Sequence, residues 1–345
     1  MKPGTRRIMG GSFMRWIRAT LCAALALALW TGFAAAENDA AHAPVRIGVL
    51  KYGTVNWELD AMKRAGLDAA NGVDVEIVPF AGEDASTVAL QAGSVDMIVS
   101  DWLWVSRQRA TGADFTFVPY STSVGSMMVP GDSPVADLGD LTGRTIGVAG
   151  GPLDKNWLLI QALAKKDHGT DLAAENDIAY GAPPLLAEKA RTGELDAVLN
   201  YWHYAARLEA QGFRTLISGT DAAIAMGTDG PVAAIGWVFS EAFAKDHPKA
   251  VEGFVAADKA TKQLLATSDD AWDALKPLMK AEDDATFRIL RDRYREGIPG
   301  RSGADEAVDT ARLYEVLAEI AGSKLVGPSD TLVDGTYWTG DGNGS

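Results

Sequence analysis

Ile47-Gly48-Val49, running on to Asn56-Trp57, and Ile146-Gly147-Val148, running on to Asn156-Trp157, open two stretches that repeat one another about a hundred residues apart. Further along, Gly93, Asp96, Trp102, Arg107 and Gly112 are echoed by Gly193, Asp196, Trp202, Arg207 and Gly212. A repeat of this length means two similar α/β lobes, not a short-period solenoid. The repeated tryptophans fall just past apolar runs that read as strands, and in open α/β sheets ligands bind beyond the carboxyl ends of strands. Two facing lobes with matched loops describe a clamp around one small molecule.

Outward from those anchors, apolar strands alternate with amphipathic helices. In the first copy strands are predicted at 45–50, 73–80, 95–100 and 115–120, with helices at 56–70, 84–91 and 102–110. The second copy predicts strands at 145–149, 177–180, 195–200 and 214–218, with helices at 154–166, 184–191 and 201–211. This alternation implies βαβ units and largely parallel sheets. A return strand at 232–239 is followed by helices at 248–266, 268–280, 284–296 and 305–321. Glycine and proline cluster at 123–134 and 227–231, which bracket the second copy. They read as two crossings of a hinge. Lobe I is therefore expected at 44–125 and 232–335, and lobe II at 130–228.

The first 36 residues stand apart. Arg6, Arg7, Arg15 and Arg18 precede an apolar run at 21–33, and Ala34-Ala35-Ala36 supplies small residues for cleavage. This order reads as a secretory signal peptide. The alternative is a membrane anchor, for which the apolar run is short. Met14 is a second candidate start, and Arg6-Arg7 fits a twin-arginine signal poorly. The sole cysteine, Cys22, lies in this leader, so the mature chain has no thiol for a disulfide, a nucleophile or a metal. Removing the leader takes away five basic residues and leaves 27 against 46 acidic ones, a net charge of −19. That balance disfavours nucleic acid and anionic lipid as partners. The tail at 340–345 reads as disordered.

Candidate ligand-binding residues follow from the repeated loops. In the first lobe they are Tyr52, Thr54, Asn56, Trp57, Asp101, Trp102 and Ser123. In the second they are Gly151, Asp154, Asn156, Trp157, Asn200, Tyr201 and Trp202. Trp237, in the return strand, is placed at the cleft floor. Helix N-termini offer polar N–H groups, Gly150-Gly151 allows close backbone approach, and aromatic faces suit a flat or cationic solute. The competing reading of each tryptophan is core packing; Trp104 and Tyr204 are read as structural. Catalysis lacks a constellation: of the histidines only His203 nears the predicted cleft, and it has no serine partner. No phosphate loop, zinc-protease motif or calcium loop occurs, so no cofactor or metal is expected.

The segments Val45-Arg46-Ile47-Gly48-Val49, residues 89–96 (ending Gly93-Ser94-Val95-Asp96), residues 137–148 (Asp137-Leu138-Gly139 to Ile146-Gly147-Val148) and Gly193-Glu194-Leu195-Asp196-Ala197 resemble motifs of one family. It is the periplasmic solute-binding proteins of ABC importers, nitrate/sulfonate/taurine type, also called NMT1/THI5-like. The resemblance covers nearly the whole mature chain. It implies a type II periplasmic-binding fold, a monomer that captures a small molecule in the periplasm and docks on an ABC permease with its ATPase. Asp101-Trp102 departs from what a sulfonate or nitrate binder implies, and with Asp154 favours an aromatic or cationic organic solute. Two rivals stay open: an accessory binding protein beside a quinoprotein dehydrogenase, and a THI5-like pyrimidine-synthesis enzyme.

Overall fold

β1 (Ala43–Leu50) lies parallel to β2 (Val73–Phe80) along its full length, from Ala43 opposite Val73 to Leu50 opposite Phe80, in a computed structural model that describes Met1 and residues 42–340. The predicted signal peptide and the tail beyond 340 lie outside the described residues. Between these strands run α1 (Val55–Arg64) and α2 (Leu67–Ala70), which the sequence predicts as one helix. Gly66, at φ 64°, ends the first and turns the chain into the second. There follow α3 (Glu83–Gln91), β3 (Met97–Ser100), α4 (Trp102–Arg109) and β4 (Phe115–Ser121).

The chain then changes sheet. It builds β5 (Ser126–Pro130), β6 (Thr145–Ala149), α5 (Lys155–His168), β7 (Asp177–Gly181), α6 (Pro183–Arg191), β8 (Ala197–Asn200), α7 (Trp202–Ala210), β9 (Phe213–Ser218) and α8 (Gly219–Ala225). β10 (Ile235–Ser240) returns to the first sheet. The helices α9 (Glu241–Asp246), α10 (Pro248–Thr267), α11 (Asp269–Met279), α12 (Asp284–Glu296), α13 (Gly303–Ala321) and α14 (Ser323–Val326) complete the chain.

Both sheets have five strands, in the orders β2-β1-β3-β10-β4 and β7-β6-β8-β5-β9. The two orders superpose position by position. In each, the fourth strand is antiparallel to its neighbours and comes from the segment that has just crossed between sheets. This is the two-lobed α/β architecture that the repeat predicts. One expectation is corrected. Residues 123–134 are not a linker, because Ser126–Pro130 is a strand with Met127, Met128 and Val129 buried. The first crossing is only 122–125. The second runs from Met226 to Ala234. It is pinned to α13: the Asp229 N–H donates to both Asp309 oxygens at 3.0 Å, and the Ala233 N–H donates to Glu306 at 2.9 Å.

The repeated aspartates prove to be scaffold. Asp96 accepts from the Arg46 N–H at 2.8 Å and its own N–H donates to the Arg46 carbonyl at 2.8 Å. Asp196 does the same with Thr145, at 2.8 and 2.9 Å. Each fixes the start of its lobe's central strand, β3 or β8, against the neighbouring strand, β1 or β6. The largest hydrophobic cluster draws on both lobes and on α13, joining Ile98, Trp102, Ile146, Trp157, Tyr314 and Leu317.

Candidate functional site

Between the two sheets lies a cavity of about 590 Å³, walled by the β1–α1 and β3–α4 loops of one lobe, the β6–α5 and β8–α7 loops of the other, both crossings, and α13–α14. Eight of the fifteen expected residues line it: Thr54, Asp101, Trp102, Ser123, Asp154, Asn156, Tyr201 and Trp202.

Seven do not, each for a visible reason. Trp57 and Trp157, 5% and 1% exposed, sit in core clusters. Trp57 meets Trp272 and Trp202 edge-on, at 6.4 and 6.0 Å between ring centroids. Trp237 is fully buried in lobe I and its indole N–H donates to Asp258 at 2.8 Å. The Asn56 amide closes its own loop by donating to the Leu50 and Gly53 carbonyls. Asn200 is spent in the same way on the Pro183 carbonyl and the Tyr201 N–H. Tyr52 projects outward, 83% exposed. Gly151 supplies backbone shape: with Gly150 it makes two successive left-handed residues, φ 82° and 86°, and Gly150 alone touches the cavity. The expectation that the four repeated tryptophans share one cleft is thus corrected. Trp102 and Trp202, at the first position of their helices, line it, although Trp102 is only 3% exposed and also belongs to the core; Trp57 and Trp157, two residues into theirs, point at the core.

The polar wall is a cluster of three carboxylates around one ammonium. Asp101 caps α4 by accepting from the Trp104 N–H at 2.7 Å, and Asp154 caps α5 by accepting from the Trp157 N–H at 3.0 Å. Lys155, from lobe II, reaches across to Asp101 of lobe I at 2.6 Å and lies 5.6 Å from the Trp102 ring centroid. Burial works to raise the Asp101 carboxyl, but the charge and hydrogen bond of Lys155 overcome it and hold Asp101 below its ordinary value. Asp154 is pushed up, chiefly by burial, against the Trp157 N–H and Lys155. Glu83, at the start of α3, is pushed up by desolvation and then by the charge of Asp101. The Tyr201 phenol is raised by burial and by Asp154 and Glu83. Arg107 also lines the cavity and helps to lower Asp101, so the carboxylates of this wall without an ion-pair partner among the described residues are Glu83 and Asp154.

His203 also lines the cavity; burial and then Arg207 lower its pKa to about 4, so its imidazole is neutral near pH 7. Sequence reasoning left Glu83 and His203 out of the site. Glu83 has no counterpart in the second repeat, where Ala182 and Pro183 occupy the same turn. The other missed wall, from α13 and α14, belongs to helices outside the repeat altogether. Among the described residues no group of three His, Cys, Asp or Glu side chains is placed to hold a metal ion.

Comparison with known proteins agrees with this architecture. The NMT1/THI5 like family model matches residues 63–271, more than half of the chain. Among solved structures, the alkanesulfonate-binding protein SsuA of Xanthomonas axonopodis pv. citri bound to MOPS is 19% identical with a TM-score of 0.61, covering 86% of this chain and 98% of that one. The periplasmic aliphatic sulphonate binding protein SsuA of Escherichia coli is 18% identical with a TM-score of 0.66, covering 86% and 92%. A putative periplasmic sulfonate-binding protein of Methylobacillus flagellatus is 17% identical with a TM-score of 0.61, covering 84% and 89%. At these identities the likeness is one of fold. A sequence search of curated proteins finds no match.

Proposed function

Because this chain belongs to the NMT1/THI5-like family, we propose that it is a periplasmic solute-binding protein that holds a small organic cation between its lobes and delivers it to an ABC permease. The observation that carries the ligand charge is the cavity wall itself. Glu83 and Asp154 stand there without an ion-pair partner among the described residues, while Lys155 is bridged to Asp101 and Arg107 and Lys324 also line the cavity, beside Trp102, Trp202 and Tyr201. A carboxylate pair with aromatic walls attracts a cation by charge and by the ring quadrupole. The sulfonate-binding proteins that share the fold do not transfer their ligand here, since a sulfonate would meet the same carboxylates as repulsion. Opening and closing are proposed to occur at 122–125 and 226–234, with Lys155–Asp101 and Trp57–Trp202 as contacts made on closure.

Titration calorimetry with organic ammonium ions and matched sulfonates tests the reading. We expect the ammonium ions to bind and Glu83→Gln or Asp154→Asn to weaken them by about tenfold, on the order of 1.4 kcal/mol. Sulfonates binding in preference to ammonium ions would refute the cationic ligand.

A further inference from the structure

Trp102 is hydrogen-bonded to the second crossing, whereas its echo Trp202 packs edge-on against Trp57. The Trp102 indole N–H donates to the Ala233 carbonyl at 3.1 Å, and the Ala233 N–H donates to Glu306 Oε2 at 2.9 Å. Trp102 and Ala233 both line the cavity; Glu306, on α13, does not line it and is fully buried. α13 thus holds the crossing at two points about one helical turn apart. At Asp309 the joint is finished: both oxygens accept from the Asp229 N–H, and Arg301 and Arg312 pair with them at 2.6 and 2.8 Å. At Glu306 it is not. Its Oε1 is buried with no hydrogen-bond partner among the described residues, and so is the Thr228 hydroxyl of the same crossing. Burial holds the Glu306 carboxyl above its ordinary value, with the Ala233 N–H opposing. A buried carboxyl with one unpartnered oxygen is a costly way to hold a single N–H, and such a group calls for a role.

We infer that Glu306 is a positioning residue of the binding site: through the Ala233 peptide it sets the Trp102 indole, and so ties the cavity wall to the second crossing. This rests on the reading of the cavity as a ligand site with a hinge at 226–234, but not on the charge of the ligand. A ligand on the Trp102 ring cannot shift it without moving the Ala233 peptide, because the indole N–H is already committed there. The Asp309 joint, closed by its two arginines, keeps the far end of the crossing fixed, so the displacement falls on 232–234. The Glu306 joint, with one oxygen spare, is the one able to re-form its bond after that displacement.

The test uses the exported protein, without ligand and then with two probes. In the ligand-free protein the indole N–H resonance of Trp102 is identified by its loss in Trp102→Phe. Glu306→Ala should move that resonance and quicken its exchange with water by about twofold to tenfold, the worth of one net hydrogen bond. Glu306→Gln, which keeps an acceptor oxygen, should restore both. Thermal midpoints report folding; should Glu306→Ala fail to fold, quickened exchange of the Ala233 amide in Trp102→Phe reads the same link from its other end. The probes are butylammonium and butanesulfonate, by titration calorimetry. Whichever binds should lose about threefold to tenfold in affinity in Trp102→Phe and in Glu306→Ala, with the double variant no worse than the weaker single one, because the two act as one unit. An indole resonance unmoved in folded Glu306→Ala, additive losses in the double variant, or a Glu306→Gln as weak as Glu306→Ala would each overturn the inference. Butanesulfonate binding with this pattern while butylammonium fails would refute the cationic reading and leave the inference standing. If neither probe binds, the cationic reading falls and the indole resonance alone decides the inference.

Discussion

Two clusters in this protein place several carboxylates around one lysine, and they differ in what finishes them. In lobe I, Lys262 donates to Glu58 and Asp258, at 2.7 Å each, with all three residues buried. Tyr294 donates to the second Glu58 oxygen, Trp237 donates to Asp258, and the Lys262 ammonium sits 4.1 Å from the Tyr120 ring centroid. Burial, with Asp258 adding to it and Lys262 opposing, pushes Glu58 up to about 8, so near neutral pH the excess charge is absorbed by a proton. In the cleft, Lys155 serves Asp101, while Glu83 and Asp154 face a cavity. The sealed cluster is complete within the protein. On the proposed reading the open one is completed by a ligand, and that difference would separate a structural ion network from a binding site better than the count of charged residues does.

The sharpest way to break the comparison is to remove each lysine. Lys262→Met leaves Glu58 and Asp258 buried beside one another, and losing one partner of a buried ion pair costs about 3–5 kcal/mol. Lys155→Met removes a partly exposed bridge, worth at most about 1 kcal/mol. Urea denaturation of the two variants should therefore give a large loss for the first and a small one for the second. Equal losses would mean that the cleft pair is as structural as the sealed one.

The tryptophans separate along the same line. Trp57→Ala should destabilise by about 3–5 kcal/mol, as for a core aromatic. Trp202→Ala should cost less stability and should weaken ligand binding by about threefold to thirtyfold, the worth of one aromatic face over a cation. Thermal midpoints and calorimetric affinities measured together decide it; an affinity unchanged in Trp202→Ala would remove the aromatic wall from the binding model.

These pairs also mark where the sequence was readable. The repeat is a statement about backbone topology, and it carried the alternation of strands and helices and the loops that form the cleft. It does not carry side-chain direction. Trp57 and Trp102 look equivalent as residues after a strand, but Trp102 is the first residue of its helix, whereas Trp57 is a position where the helix has already turned its side chain inward. The strand Ser126–Pro130 was hidden because Gly125, Pro130 and Pro134 carry turn signals. Pro130 nevertheless closes the strand's last position, while the three apolar residues before it are buried. The C-terminal wall was illegible for another reason. Leu313 and Leu317 follow ordinary helical spacing in α13, Leu325 lies in the separate α14, and nothing in that pattern marks them as cavity-lining.

A pH series sharpens the sealed side. Glu58 has its ordinary value near 4.5 in the unfolded chain and about 8 in the fold. A raised folded value means that the folded state holds the proton more tightly. Its contribution is full below 4.5 and is lost as pH rises toward 8. The groups facing it, Lys262 and Asp258 from α10, Tyr294 from α12 and Tyr120 from β4, are all buried with it. Glu58→Gln should therefore flatten the fall in denaturation midpoint between pH 5 and pH 8 and leave the pH 5 stability close to that of the parent. An identical slope in parent and variant would show that Glu58 does not titrate in that window.

The smallest effect is the most informative about the open side. Lys155 plays two parts that pull affinity in opposite directions. As a bridge from lobe II to Asp101 it favours the closed form, and its loss should weaken every ligand alike by at most about fivefold, the limit for a partly exposed pair. As a cation in the cleft it repels the ammonium head of the ligand. A unit charge at about 8 Å with an effective dielectric of about 20 is worth roughly 2 kcal/mol, and salt reduces that to the order of 1 kcal/mol. The repulsive part is the larger for a cation, so Lys155→Gln should tighten alkylammonium binding by about twofold to fivefold at low salt, with the gain shrinking as salt is added. A neutral alcohol of the same length feels only the lost bridge and should bind more weakly or unchanged. If both probes weaken equally at every ionic strength, Lys155 acts on closure alone, and the ligand's charge is not read at this wall.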